Sequence, residues 1–392
     1  MQNPQVSLDA RAVADGLARE LAATAAARDQ AGGHAAHERQ RIRDSGLLAL
    51  TVPREHGGLG ADWPTFYAVV RRLAQADSAL AHVFAFHHLQ VATVLLYGQP
   101  EQQSRWLGQT VSEGWFWGNA LNPLDKNTTA TEVRGGFVFH GSKSYCSGSV
   151  GADRLLFSGW HEASQSNVVA AVDARHPAVA VQADWNAFGQ RQTDSGTVRF
   201  DQLRVPLADV LVAPGATLSP RATLRTLLSQ LILTNLYLGI AQGAFEAARE
   251  QITRHSRPAP LSTAARAAED PYVQHRFAGL WLLVKPAALV ADEAARSLQQ
   301  ALDAGDSLSA QQRGEVAVAV IEAKALAHRA ALEVSSQLFE LTGARATASP
   351  LGLDRFWRNA RVHTLHDAID HKHRDLGRYL LDGVVPTPGS YS

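Results

Sequence analysis

The feature that most constrains this chain is a change of hydrophobic period, made twice. Residues 7 to 110 carry apolar side chains at three- and four-residue spacing, short alternating runs take over from about 111, and the helical period returns from about 217 to 380. Spacings of three and four place side chains on one face of a helix, whereas a spacing of two places them on one face of a strand. The segments LLSQLILTNLYLGIAQGAFEAAREQITRHS, QHRFAGLWLLVKPAALVADEAARSLQQALDAG and SAQQRGEVAVAVIEAKALAHRAALEVSSQLFELTG each exceed the average globular helix of about 11 to 12 residues, which favours an up-and-down bundle. The expected order is an N-terminal helical domain over 1–110, a small β domain over 111–216 and a C-terminal helical bundle over 217–392, so a mostly α fold with a central β domain. Local signals agree: Ser7 is a candidate cap for the first helix, Gly32 and Gly33 would stop it, and Gly135-Gly136 suits a hairpin turn.

Composition narrows the partners. Lysine plus arginine equal aspartate plus glutamate at 37 each, and no long run of like charge occurs, so no nucleic-acid or membrane-surface footprint is expected. With 46% hydrophobic and 19% charged residues the chain reads as globular, and the expected partner is a small molecule. The start, MQNPQVSLDARAVADG, lacks the basic and apolar regions of a secretory signal, and no stretch of about 18 uncharged apolar residues is evident, which points to the cytoplasm. Cys146 is the one cysteine, so neither an intrachain disulfide nor a multi-thiolate metal site can form. Beside it stands one methionine, Met1. So few sulfur atoms fit either drift in an alanine-rich sequence or a protein made when sulfur is short.

Two histidine-rich stretches carry candidate chemistry. In RVHTLHDAID, His363 and His366 are three apart, and on a helix they would share a face. An imidazole with a pKa near 6.5 can donate or accept a proton at neutral pH. A metal would need further ligands; Asp370, His371 and His373 are available, but no HExxH or carboxylate-bridge pattern accompanies them, and no metal is expected. In HVFAFHH, His82 and Phe86 lie on one helix face, while His87 and His88 read as structural. No GxGxxG or GxxxxGK[ST] phosphate loop is present.

The segments PREHGGLG, FWGNA, GSKSYCSG, DWNAFGQRQTDSG, NLYLGIAQGA, EDPY, LTGAR and DRFWRNARVHTLHD resemble the acyl-CoA dehydrogenase superfamily over essentially the whole chain, and within it the flavin-dependent monooxygenase branch that acts on dibenzothiophene and methanesulfinate. The resemblance implies a small β-barrel domain between an N-terminal helical domain and a C-terminal four-helix bundle. It also implies the oxygenase component of a two-component system, taking reduced FMN from a separate flavin reductase and using O2 to oxidise a small organosulfur compound, with a homotetramer as the assembly. By match to the family, His366, His363 and His82 are the catalytic residues. Asn119, Tyr145, Ser147, Arg257 and Arg345 hold the cofactor, and Phe86 and Trp185 line the substrate pocket. GARAT lacks the Gly-rich extension that supports the adenine half of FAD, so the resemblance points to FMN.

Three other readings stay open at this point. The letters LHDAI put Asp367 where an acyl-CoA dehydrogenase has its carboxylate base, one methylene shorter than the usual Glu, so an FAD-dependent dehydrogenase using Asp367 is the main alternative. The oxygen could instead go to nitrogen or carbon. A helical scaffold that keeps the fold without catalysis is the last.

Overall fold

The computed structural model describes residues 9–392, and Ser7 lies outside them. Among the described residues five helices come first: α1 (Ala10–Ala31), α2 (Ala36–Asp44), α3 (Trp63–Ala76), α4 (Ser78–Tyr97) and α5 (Pro100–Ser112). Eight strands follow: β1 (Trp117–Ala120), β2 (Thr128–Val133), β3 (Gly136–Lys143), β4 (Arg154–His161), β5 (Ser166–Asp173), β6 (Val179–Val181), β7 (Val198–Pro206) and β8 (Val210–Val212). The chain closes with α6 (Pro220–Arg254), α7 (Pro271–Asp303), α8 (Ala310–Thr342), α9 (Asp354–Thr364) and α10 (Ile369–Asp382).

The helix ends follow from local chemistry. The Asp9 carboxylate accepts from the Arg11 and Ala12 amides, and α1 stops at Gly32 in the positive-φ region. In EDPY, Asp270 caps α7 and Pro271 occupies its first turn, where a missing N–H costs nothing. Ser309 and Gln312 form a reciprocal capping box at the start of α8. The three long helices α6, α7 and α8 have 35, 33 and 33 residues, close to 50 Å each at about 1.5 Å per residue. They pack on one another, and the fourth leg of the bundle is broken into α9, against α6 and α8, and α10, against α8.

The strands form one sheet in the order β6-β7-β3-β2-β4-β5-β8, with β1 parallel to β4. In its core Phe157 stacks on Phe200 at 4.6 Å and meets Phe139 edge to face at 4.7 Å. The hairpin between β2 and β3 pairs Val133 with Gly136, so the turn is Arg134-Gly135 rather than Gly135-Gly136. Gly136 is needed for a different reason: a Cβ there would lie 2.1 Å from the Val205 carbonyl oxygen of β7.

The apolar content of two helices exceeds the sequence-based expectation. By length and composition α4 and α6 could each cross a membrane, yet 89% and 83% of their apolar windows are buried inside the fold. They are its central helices. α6 packs on α3 and α4, and α4 packs on β1.

The segment 184–197 joins the N-terminal helices, the sheet and the bundle. Arg39, itself buried, donates to Asp194 at 3.0 Å and to the backbone carbonyls of Val150 and Gly148, while His34 Nδ1 lies 2.8 Å from the same carboxylate. Arg28 reaches Gln192 at 2.8 Å. Removing one partner of a buried ion pair leaves the other charge uncompensated, typically at about 3–5 kcal/mol. Arg39→Met is therefore predicted to lower the free energy of unfolding in urea by about that amount; an unchanged midpoint would show that the junction does not depend on this pair.

Candidate active site

α4 carries three histidines in three different environments. His87 and His88 have all four ring nitrogens engaged: His87 with the Leu48 carbonyl at 2.9 Å and the Trp117 amide at 3.1 Å, His88 with Thr51 Oγ1 at 2.8 Å and the Leu47 carbonyl at 3.0 Å. His82 is equally buried, but neither of its ring nitrogens has a partner. Its ring stacks on Phe86 at 4.0 Å and lies 4.8 Å from the ring of His363. A buried polar group left unpaired costs about 1–3 kcal/mol, so such a group marks a place built to meet a ligand. Gln90, two turns along the same face, also has an unpaired buried Oε1 while its amine donates to Asn119 Oδ1 at 3.1 Å.

Burial keeps these imidazoles neutral. His363 is pushed down to about 3, first by desolvation and then by His366 and Lys324 nearby. The same causes, desolvation followed by His363 and His366, lower His82 well below its ordinary value.

His363 and His366 do not share a helix face as expected. α9 ends at Thr364, and His366 stands in the turn that follows. The reason lies in where the neighbouring polar groups go. The His363 carbonyl accepts from the Tyr237 hydroxyl at 2.9 Å and from the His366 amide at 3.0 Å, while the Asp367 side chain is drawn into an ion pair with Lys324 of α8. His366 is left with 41% of its side chain exposed, its Nδ1 3.4 Å from Asp367 Oδ1 and its ring 5.4 Å from that of Tyr391. The two histidines thus remain within electrostatic reach, one buried and one open to solvent.

Asp367 is a clamped carboxylate. Lys324 bonds one oxygen and Lys372 Nζ lies 3.7 Å from the other, with both partners and the carboxylate almost wholly buried. Burial alone would raise its pKa, but the His366 contact and the two ammonium groups overcome that and hold it far below the usual carboxylate range. Lys324 falls to about 8 through desolvation, with Asp367 opposing the fall.

The other expected residues fall in two places. At the sheet, the Asn119 amide donates to the Ser147 carbonyl at 2.9 Å, Ser147 Oγ bonds Ser195 Oγ at 2.9 Å, and Tyr145, 67% exposed and at φ 57°, sets its ring edge-on 6.0 Å from Trp185. At the end of the bundle, Arg257 and Arg345 are both exposed, and the Ser256 hydroxyl donates to the Thr342 carbonyl at 3.3 Å, so their two segments run side by side. Asp370, His371 and His373 lie at the start of α10. Residues that sequence reasoning passed over complete the site: Gln190, Asn359, Tyr237 and Lys324, each bonded to His363, to Asp367 or to each other. Lys324 did leave a signal, a lone cation within the apolar run VAVAVIEAKALA.

Unpaired imidazole nitrogens and amide oxygens beside a solvent-open aromatic pair fit a planar, hydrogen-bonding ring system. Exposed guanidinium groups fit a terminal phosphate. A sheet set against two helical layers, with such a site where they meet, is the architecture of an acyl-CoA dehydrogenase-type flavoprotein. Residues 8–114 match the acyl-CoA dehydrogenase N-terminal domain and residues 231–371 its C-terminal domain, and the chain belongs to the acyl-CoA dehydrogenase family. It is 45% identical, over 98% of its length and 97% of the relative's, to a protein of Pseudomonas putida described as a probable FMNH2-dependent monooxygenase, SfnC. Methanesulfinate monooxygenase MsuC of Pseudomonas fluorescens has the same fold at a TM-score of 0.96 and 43% identity, with 100% of both chains covered. FMN-bound TdsC of Paenibacillus sp. A11-2 follows at 0.94 and 39%, covering 98% of this chain and 100% of that one.

A neutral buried imidazole has a pH signature. The unfolded state binds a proton near pH 6.5 and folded His363 only near 3, so its contribution to stability is full above about 6.5 and is lost as the pH falls through that window. At pH 5 the loss from this one residue is about 2 kcal/mol. Urea unfolding of His363→Asn is predicted to be less acid-sensitive than wild type by about that amount between pH 7 and 5; equal losses in the two proteins would contradict the assignment.

Proposed function

We propose that this chain is the oxygenase component of a two-component flavin system, which takes reduced FMN from a separate flavin reductase and uses O2 to oxidise a small organosulfur compound at sulfur, in sulfur assimilation or desulfurisation. The observation that carries the reading is the clamp on Asp367. A dehydrogenase needs a carboxylate that can take a proton from carbon, and this one is held ionised by Lys324 and Lys372, which makes it a weak base. In its place the site offers neutral imidazoles. The relatives SfnC, MsuC and TdsC, similar over nearly the whole chain, support the same class.

When bound, reduced FMN supplies the two electrons with which one oxygen atom of O2 goes to the substrate and the other to water. The chain supplies the surroundings. Asn119 and Ser147, tied together through the backbone, would offer polar groups to the ring, and the Tyr145–Trp185 pair would give it an aromatic neighbour. Arg257 and Arg345 would hold the phosphate. His82 and Phe86 would present one polar and one apolar ring to the reacting side, and because Phe86 has no hydroxyl, hydrogen bonding there falls to His82 and His363. His366 is exposed enough to trade protons with solvent while Asp367 fixes its ring.

The exposed apolar residues Tyr272, Leu282 and Leu289 of α7 and Leu380 and Leu381 of α10 support a homotetramer, with those faces covered by other copies.

An assay with FMN, a flavin reductase, NADH and a panel from methanesulfinate and dimethyl sulfide to dibenzothiophene is predicted to show oxygen transfer to at least one member. Bleaching of bound flavin by an acyl-CoA under anaerobic conditions would sink the reading. His366→Ala should keep flavin binding and lose about a hundredfold or more in turnover, the usual range for an acid–base group. Arg345→Ala should weaken FMN binding about ten- to a hundredfold, measured by fluorescence titration, with the loss of a charge-assisted contact.

A further inference from the structure

Gln190 is the most constrained residue near the histidines. It is 1% exposed and sits at φ 52°, a left-handed conformation that a non-glycine residue adopts only when its surroundings impose it. Four contacts impose it. Its amide donates to Asn359 Oδ1 at 2.6 Å, and its carbonyl accepts from Trp185 Nε1 at 2.8 Å and from the Thr193 amide and hydroxyl at 3.2 and 3.0 Å. The preceding Gly189 presses on α9 so closely that a Cβ would lie 2.2 Å from the Arg358 carbonyl oxygen. Such strain is concentrated where a side chain must be held in one place.

The side chain held there is an amide whose orientation can be read. Gln190 Nε2 lies 3.3 Å from the Asn359 backbone carbonyl, 3.0 Å from Ser78 Oγ and 3.3 Å from His363 Nδ1, whereas Oε1 has no partner. A backbone carbonyl can only accept, so the end of the amide beside it must be the amine. The amine then also faces His363 Nδ1, its two hydrogens being shared among these three neighbours. A proton on Nδ1 would set one donor against another at 3.3 Å, so Nδ1 must present its lone pair.

We infer that Gln190 is a positioning residue that fixes His363 as an imidazole protonated on Nε2, so that His363 enters the reaction as a hydrogen-bond donor and not as a base. The inference rests on the proposed function only for its kinetic consequence; the tautomer follows from the bonds around Gln190. It also divides the labour between the two histidines. The buried one donates from a fixed nitrogen, and the exposed His366 exchanges protons with solvent.

The test uses the whole protein labelled with 15N-histidine, with the His363 resonances identified by their loss in His363→Asn. Two-bond 1H–15N correlations of wild type are expected to show protonated Nε2 and bare Nδ1. Gln190→Glu substitutes an acceptor for the donor and should move the proton to Nδ1, and it should lower kcat about a hundredfold while KM for the substrate stays within about twofold. Gln190→Leu, which keeps the bulk and removes the donor, should give a mixture of tautomers and stands in should the Glu variant not fold. A proton on Nδ1 in wild type, or an unchanged tautomer in both variants, overturns the inference. A switched tautomer with unchanged kcat supports the Gln190–His363 coupling and moves the failure to the placement of His363 at the reacting edge.

Discussion

The ion pair between Asp367 and Lys324 organises the region on which the chemistry depends. To reach Lys324 the Asp367 side chain turns into the bundle, the helical bonding of α9 stops at Thr364, and a new helix, α10, starts at Ile369. That turn exposes His366 while His363, one turn earlier, stays buried. The same pair removes a usable base from the place where a dehydrogenase would need one. Buried pairs of this kind add little net stability, because desolvation of both ions offsets their attraction, so their value here is geometric.

A second constraint acts from the other side. The segment 184–197 is bonded to Arg39 and Arg28 of the N-terminal helices, to Ser147 near the sheet and to Asn359 and His363 of the bundle. Three parts of the chain distant in sequence therefore share one short loop. Gln190, beside the imidazole, thus sits in a loop held by contacts from all three parts.

Much of the architecture was legible in the letters, because a change of period from 3.6 to 2 and back survives without knowledge of contacts. The helix end at Gly32 was legible from local chemistry alone, whereas EDPY stands out in the letters for its resemblance and not as the helix start that its Asp270 cap makes it. What the letters hid depended on long-range pairing. His363 and His366 look like neighbours on a helix until Lys324, 43 residues away from Asp367, ends that helix. Gln190 reads as one more polar loop residue, and its importance rests on Asn359, 169 positions further on. The apolar windows of α4 and α6 passed unnoticed in the letters, and their burial, 89% and 83%, comes from packing on α3, on each other and on the sheet.

The three histidines of α4 differ only in which way they face, and that has an evolutionary consequence. Each residue inserted into a helix rotates everything beyond it by about 100°. An insertion or deletion between His82 and His87 would turn the two relative to each other, so that either His82 lost the pocket or His87 its partners at Leu48 and Trp117. This stretch can therefore diversify by exchanging side chains but not by changing length. A family built on such a helix would vary its substrates through single substitutions and through loops elsewhere.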